Sequence, residues 1–331
     1  MKTPAIMVNG IEDIGFGSVT LSELGPNDVH ARAEVSLVST GTETRIMRHG
    51  YPNTQFPIVP GYSAVGTIQR VGRDVTHVAG GDRVFLMGGN RIAEGARSLW
   101  GAHCLDHTVP AESLIKLDST CPTEHAVFTQ VVGIALHGVT LANVEAGERV
   151  VVIGLGLIGQ CSARCLLARG AEVIVCDLDP DRRSLAEAIG ATAIDPSAGE
   201  LPDLVRAKWI EGPDAVFEVT GRSQMVTAAA ALLKSRPWDD SGKQPRLVLQ
   251  ANYTEPFSFG ARDLFEREAL VVSPRANTPA DRASAATLIA SGAMKLDNLV
   301  PPRARPQDAA AVYKTLMNDP GRQVTALFGW K

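Results

Sequence analysis

Val150-Val151-Val152-Ile153-Gly154-Leu155-Gly156-Leu157-Ile158-Gly159 decides the fold. Four apolar residues run into a glycine-rich turn. A helical pattern follows from Gln160 to Arg169, and Gly170 sits where a helix stops. A second apolar run, Ala171-Glu172-Val173-Ile174-Val175-Cys176, ends at Asp177. Strand, tight turn, helix, strand and acid, in that order, is the pattern of a dinucleotide-binding unit.

Each glycine has a separate physical task. Gly154 permits the sharp exit from the strand. Gly156 lets a pyrophosphate approach the backbone, and Gly159 lets the helix pack close to the sheet. The free N–H groups of the first helical turn, at Leu157, Ile158 and Gly159, point at the phosphates, and the helix dipole favours their charge. Asp177 lies eighteen residues after Gly159. A carboxylate there accepts hydrogen bonds from both adenosine ribose hydroxyls and repels a 2′-phosphate, which argues for NAD over NADP. Arg182 is placed over the ribose; a solvated arginine at a helix start is the competing reading. Thr220, closing the strand Asp214 to Val219, flanks the adenosine. Gln250 and Ala251 close the next strand, where backbone groups meet the nicotinamide amide. The plain alternative for the whole motif is a glycine-rich turn that binds nothing; the agreement of several levels argues against it.

Outward from this unit the chain falls into two textures. Up to about residue 120 it holds short strands and Gly/Pro turns. Between Val29 and Leu37 the residues alternate, with Val29, Ala31, Ala33, Val35 and Leu37 apolar and His30, Arg32, Glu34 and Ser36 polar, as in a half-buried strand. Ser39-Thr40-Gly41-Thr42-Glu43 reads as a polar turn. From about residue 124 helices and strands alternate, which implies a parallel sheet covered on both faces. Expected helices include Thr123 to Asn143, Asp181 to Ile189, Leu201 to Ile210, Ala280 to Ser291 and Pro306 to Met317. A terminal strand is expected from Gln323 to Phe328, in a tail that returns to the β-rich domain.

At 331 residues the chain suits two domains. Apolar residues make up 45% and charged residues 21%, as in a soluble globular protein. The formal net charge of −4 gives no reason to expect a nucleic acid or an anionic membrane as partner. No apolar run approaches the ~20 residues that cross a bilayer. Met1-Lys2-Thr3-Pro4 leads into no signal-like apolar core, so a cytoplasmic location is the expectation. Five scattered cysteines, with Cys161 and Cys165 sharing a helix face, read as buried core thiols.

Pro60-Gly61-Tyr62-Ser63-Ala64-Val65-Gly66, Gly81-Asp82-Arg83-Val84, Ala135-Leu136-His137-Gly138 and the glycine turn with Asp177 together resemble the medium-chain dehydrogenase/reductase superfamily. The resemblance covers essentially the whole chain. It implies an α/β architecture in which residues 1–130, completed by 276–331, form a GroES-like β-barrel catalytic domain. Residues 131–275 then form a Rossmann doubly wound parallel sheet that binds NAD. It places the active site in the cleft between them, and implies a small-molecule substrate and a homodimer or homotetramer. Ser39 to Glu43 with Pro60-Gly61-Tyr62, and the closing Phe328-Gly329-Trp330-Lys331, look like the bacteriochlorophyllide a dehydrogenase branch. That branch implies NAD-linked oxidation of a secondary alcohol on a tetrapyrrole to a ketone. The loop Met87 to Gly101 carries no tetrapyrrole signature.

Zinc members of the superfamily use a Cys, a His-Glu pair and a further Cys or Glu. Here Thr40, Tyr62, Ser63 and Gln130 stand at those places, so no metal is expected. Tyr62 then becomes the candidate proton acceptor, although a phenol near pKa 10 needs a nearby positive charge, such as an oxidised nicotinamide ring, to serve. Thr42 matches the hydroxyl relay of the zinc relatives, and Thr40 and Ser39 are candidates for the same hydroxyl chain. Glu43 reads as a plain loop carboxylate, the competing reading being that it orients Thr42 or a backbone group. His137 reads as a satisfied core histidine, and the cluster His103, Asp106 and His107 makes a weak mechanistic claim. Two other readings stay open: an NADPH-dependent enoyl or quinone reductase, and a cofactor-binding sensor with a degenerate site.

Overall fold

The computed structural model describes residues 1–319 and 323–330; Lys331 of the closing motif lies outside them. The chain divides into two compact units. The first comprises Met1–Gln130, Ala285–Gly292 and the chain from Leu296 on; the second comprises Val131–Ser284 and Ala293–Lys295.

In the first unit the strand Asp28–Leu37 is the hub. It pairs antiparallel with Ala64–Val71, with Asp106–Pro110 and with the tail strand Leu327–Gly329. The tail therefore does return, through Leu327 opposite Leu37. The alternation read from the sequence is real, because Val29, Ala31, Ala33, Val35 and Leu37 are all buried. Ser36 breaks it: it is polar yet fully buried, for a reason given below. A second, five-stranded sheet is built around Lys2–Gly10 and Asp13–Leu21, joined antiparallel.

The second unit is a six-stranded sheet, parallel throughout. Its order is Thr192–Ile194, Glu172–Cys176, Arg149–Ile153, Ala215–Glu218, Arg246–Leu249, Leu270–Val272. The strand order reverses at Arg149–Ile153, so this strand's carboxyl end is the switch point at which such sheets bind ligands. Val150, Val151 and Val152 are fully buried, as a strand covered on both faces demands.

Several expected boundaries shift. The polar turn Ser39 to Glu43 is instead the start of the helix Thr40–His49. Its first turn carries Glu43, whose charge suits a helix N-terminus. The long helix expected from Thr123 to Asn143 is broken into Thr123–Ala126 and Thr129–Leu141. The break coincides with the carbonyl of Val127 accepting the Ser63 hydroxyl at 2.5 Å. The expected helix Leu201 to Ile210 stops at Arg206, ahead of Gly212 in the left-handed region. The expected strand Gln323 to Phe328 is confined to Leu327–Gly329, because side chains take backbone partners before it. Thr325 donates its hydroxyl to the Val38 carbonyl at 2.6 Å. The return to the first unit comes at Ala285, not at 276. Residues 277–282 are anchored in the second unit by the Asp281 carboxylate, which lies 2.9 Å from Nδ1 of His137.

Candidate active site

In the first unit Tyr62 follows Gly61, which has φ +89°. A Cβ at Gly61 would lie 2.7 Å from the His103 ring, so conformation and space both require glycine here. The tyrosine is turned inward. Its hydroxyl is hydrogen-bonded to the Ser39 hydroxyl, and Thr42 Oγ1 lies 3.5 Å away. Burial pushes the Tyr62 phenol above its ordinary pKa, against the hydrogen bonds from Ser39 and Thr42 and the charge of Arg45, which pull it down. Tyr62 and Thr42 are thus brought together. Thr40 is not: its hydroxyl donates to the Val324 carbonyl at 2.5 Å. Ser39 is the direct partner of the phenol.

Beneath this hydroxyl group lies a network that the sequence reading did not find. The Glu43 carboxylate is fully buried. It accepts the Ser39 N–H at 2.7 Å and the Tyr313 hydroxyl, and its Oε2 lies 2.9 Å from Nε2 of His103. On the far side of the imidazole, Nδ1 lies 2.7 Å from the Ser36 hydroxyl, which accepts the Trp330 indole N–H at 2.9 Å. With the proton on Nε2 of His103, every donor in the chain meets an acceptor. This explains the buried Ser36 and corrects the reading of Glu43 as a loop carboxylate. Glu43 holds the backbone of Ser39, and Ser39 holds Tyr62. His107 takes no part: its Nε2 lies 2.9 Å from the Cys104 carbonyl, and burial lowers its pKa to about 4. Asp106 instead accepts the Thr3 hydroxyl at 2.9 Å.

In the second unit the glycine turn has the geometry its sequence demands. Gly154 has φ +94°, and a Cβ there would meet Thr220 Cγ2 at 2.8 Å. A Cβ on Gly159 would lie 1.9 Å from the Gly154 carbonyl oxygen. Around Gly156 nothing lies within 4 Å of such an atom. As N-cap of the helix Leu157–Ala168, Gly156 brings no capping side chain, so the N–H groups of Leu157, Ile158 and Gly159 face this open space. The Asp177 carboxylate accepts the N–H of Leu155 at 2.6 Å and that of Asp179 at 2.9 Å. Arg182 Nη1 stands 3.8 Å from it.

The residues at the neighbouring strand ends divide in role. Thr220 donates both its N–H, at 2.9 Å, and its hydroxyl to Glu218, whose other oxygen accepts the Tyr253 hydroxyl. Burial and that carboxylate push the Tyr253 phenol far up. The Gln250 side chain is turned into the fold: its amide donates to the Ile134 carbonyl at 2.8 Å and accepts the Ser162 hydroxyl at 3.2 Å. Ala251 sits beside Gly221, near the turn's edge. Glu218 and the buried Arg164, which donates to the Gln160 side chain at 2.8 Å, were not legible as site support. The five cysteines are free and buried.

A nucleotide cradle on a parallel sheet and a buried hydroxyl chain on a β-rich unit define an oxidoreductase of the two-domain alcohol dehydrogenase type. Residues 25–119 match the alcohol dehydrogenase GroES-like domain, and residues 158–237 match the zinc-binding dehydrogenase family. The chain belongs to the medium-chain dehydrogenase/reductase superfamily, whose members bind nicotinamide cofactors. It is 29% identical to 2-desacetyl-2-hydroxyethyl bacteriochlorophyllide A dehydrogenase of Cereibacter sphaeroides, over 97% of this chain and 96% of that one. It is 24% identical to 2-dehydro-3-deoxy-L-galactonate 5-dehydrogenase of Pseudoalteromonas atlantica, over 92% and 93%. A zinc-binding dehydrogenase structure from Sinorhizobium meliloti 1021, bound to NADP, superposes with TM-score 0.86 at 25% identity over 99% of both chains.

Proposed function

We propose that the protein is a zinc-independent, NAD-dependent dehydrogenase that interconverts a secondary alcohol and its ketone. The observation that carries this reading is the hydroxyl chain of Tyr62, Ser39 and Thr42, at residues to which the resemblance assigns a metal ligand and a proton relay in the zinc relatives. The residues at the metal positions do not suit zinc, which takes thiolate, imidazole or carboxylate donors. Thr40 and Ser63 donate their hydroxyls to the carbonyls of Val324 and Val127. Glu43 and His103, donors of the kind zinc favours, lie against each other.

The residues do suit a nicotinamide coenzyme. The open space at Gly156 and the first-turn N–H groups take the pyrophosphate, and Asp177 takes the ribose hydroxyls and disfavours a 2′-phosphate. When bound, the coenzyme supplies the hydride acceptor. In oxidation the alcohol carbon loses a hydride and its oxygen loses a proton, and the C=O bond forms. Tyr62, as phenolate, takes that proton, and Ser39 and Thr42 hold the phenol oxygen in place. In the reverse direction the neutral phenol donates the proton to the ketone oxygen. Burial favours the neutral form, so near neutral pH the phenol is protonated and ready to donate in the reduction direction.

The NADP bound to the Sinorhizobium structure is the one observation that favours an NADPH-dependent reductase instead. Parallel fluorescence titrations with NADH and NADPH separate the two. Tight NADH with much weaker NADPH supports the dehydrogenase; the opposite order sinks it. For assembly we propose a dimer through the sheet edge Leu270–Val272, where Leu270 and Val271 are exposed. Light scattering on a sizing column tests this, and a monomer refutes it.

A further inference from the structure

We infer that Arg45 is a positioning residue acting through Tyr62: its guanidinium supplies the fixed positive charge that a phenolate at Tyr62 requires. The inference rests on the proposed dehydrogenase and fills a role in it that the hydroxyl chain leaves open. Ser39 and Thr42 can hydrogen-bond a phenolate, but neither carries a charge to balance it. A charge held by the chain itself persists whatever the oxidation state of the coenzyme. The placement follows from the helix Thr40–His49. Ser39 is its N-cap, yet the side chain caps no backbone N–H, and its hydroxyl bonds Tyr62 instead. The helix start is held by the Glu43 carboxylate on the Ser39 N–H at 2.7 Å, and by the Thr44 hydroxyl on the Thr40 carbonyl at 2.7 Å. Thr42 Oγ1 lies 3.5 Å from the phenol oxygen. Arg45 follows Thr42 by three residues, so the two side chains are neighbours on one helix face.

Arg45 is half-buried, and among the described residues it makes no ion pair and donates no side-chain hydrogen bond. The next arginine of the helix, Arg48, is already committed to the Met317 carbonyl. The charged groups beside the phenol oppose each other: Glu43 raises its pKa and Arg45 lowers it. The Glu43 carboxylate is occupied by the Ser39 N–H, the Tyr313 hydroxyl and Nε2 of His103, whereas the Arg45 charge is spent on no partner. The other titratable neighbours bring no free charge. His103, against Gly61, has both ring nitrogens engaged, by Glu43 and Ser36. Tyr51 lies behind the Trp100 ring, which is 5.2 Å from the Tyr62 ring. When substrate takes the place of water beside the phenol, the local dielectric falls and the pull of Arg45 on the phenolate grows.

The test compares the whole protein with its Arg45→Met and Arg45→Lys variants, whose urea midpoints report folding. Two readouts are taken. The first needs no turnover: alkaline titration of the phenolate absorbance, with the Tyr62→Phe variant subtracted to isolate Tyr62. The second is the pH profile of NAD-linked oxidation over a panel of secondary alcohols. Arg45→Met is expected to move the Tyr62 titration and the oxidation profile upward together by about one pH unit. At a fixed pH below the titration, kcat then falls about tenfold while KM for the alcohol is unchanged. Arg45→Lys keeps the charge and is expected to restore both readouts. Either readout staying in place in Arg45→Met, a loss carried by KM alone, a lysine variant no better than the methionine one, or a wild-type Tyr62 that stays neutral wherever the protein is folded would each overturn the inference. A titration that moves in Arg45→Met and returns in Arg45→Lys, in a protein that oxidises no alcohol, would sink the dehydrogenase reading and support the action of Arg45 on Tyr62.

Discussion

Glu43 and His103 lie 2.9 Å apart with neither side chain exposed, and between them they fix the geometry of the candidate site. The carboxylate also takes the Ser39 N–H and the Tyr313 hydroxyl. Replacing Glu43 with Ala leaves three buried donors without an acceptor, and is expected to cost about 3–5 kcal/mol. Glu43→Gln keeps the shape but turns an amide toward one of the donors, and is expected to cost about 1–3 kcal/mol. Urea unfolding measures both. An unchanged midpoint in Glu43→Ala would show that this network does not hold the fold.

The pH dependence follows from Tyr62. Burial raises its pKa, so the phenolate needed for oxidation is scarce at neutral pH and grows as pH rises. Alcohol oxidation is therefore expected to climb through the alkaline range without levelling near pH 8, while ketone reduction falls over the same range. Tyr62→Phe should lower kcat by about 10²–10⁴-fold and remove the slope, with NADH binding retained. A rate profile that the phenylalanine variant still follows would assign the proton to another group.

Two neighbouring glycines separate folding from binding. At Gly159 a Cβ would collide with the Gly154 carbonyl, so Gly159→Ala should lose stability and NADH binding together. At Gly156 there is room for a methyl group, which would occupy the space meant for the pyrophosphate. Gly156→Ala should therefore unfold at nearly the wild-type denaturant concentration yet bind NADH about tenfold or more weakly. Unweakened NADH binding by a folded Gly156→Ala would contradict the cradle.

The choice of coenzyme rests on Asp177. Asp177→Ser removes the charge and is expected to bring the NADH and NADPH dissociation constants closer, by weakening the first and tightening the second. Arg182, 3.8 Å away, is then released toward the 2′-phosphate. A ratio unchanged from wild type would show that discrimination lies elsewhere.

The parts legible in the sequence are those whose causes are local. Val150 to Gly159 announces its strand and turn because strand hydrophobicity, glycine spacing and the helix start all lie within one short stretch. The alternation from Val29 to Leu37 works for the same reason. Ser39 to Glu43 misled, because hydroxyls and glycine look alike in a turn and in a helix start. The partners of Glu43 were out of reach: His103 is 60 residues away and Tyr313 is 270. Trp100 shows the same limit: nothing in the loop Met87 to Gly101 announces that its ring will lie 5.2 Å from that of Tyr62. Ser36 gave no warning either: in the sequence it sits at a regular polar place of the alternation, and only its full burial in the structure reveals the polar network.

The central claim is that hydroxyls replace the metal. The direct measurement is NAD-linked oxidation of a panel of secondary alcohols by the purified protein, before and after exhaustive treatment with a zinc chelator, with metal content determined on the same samples. The account predicts turnover that is unchanged by chelation, at far less than one zinc per chain. Activity that disappears with the metal and returns on adding zinc would contradict it.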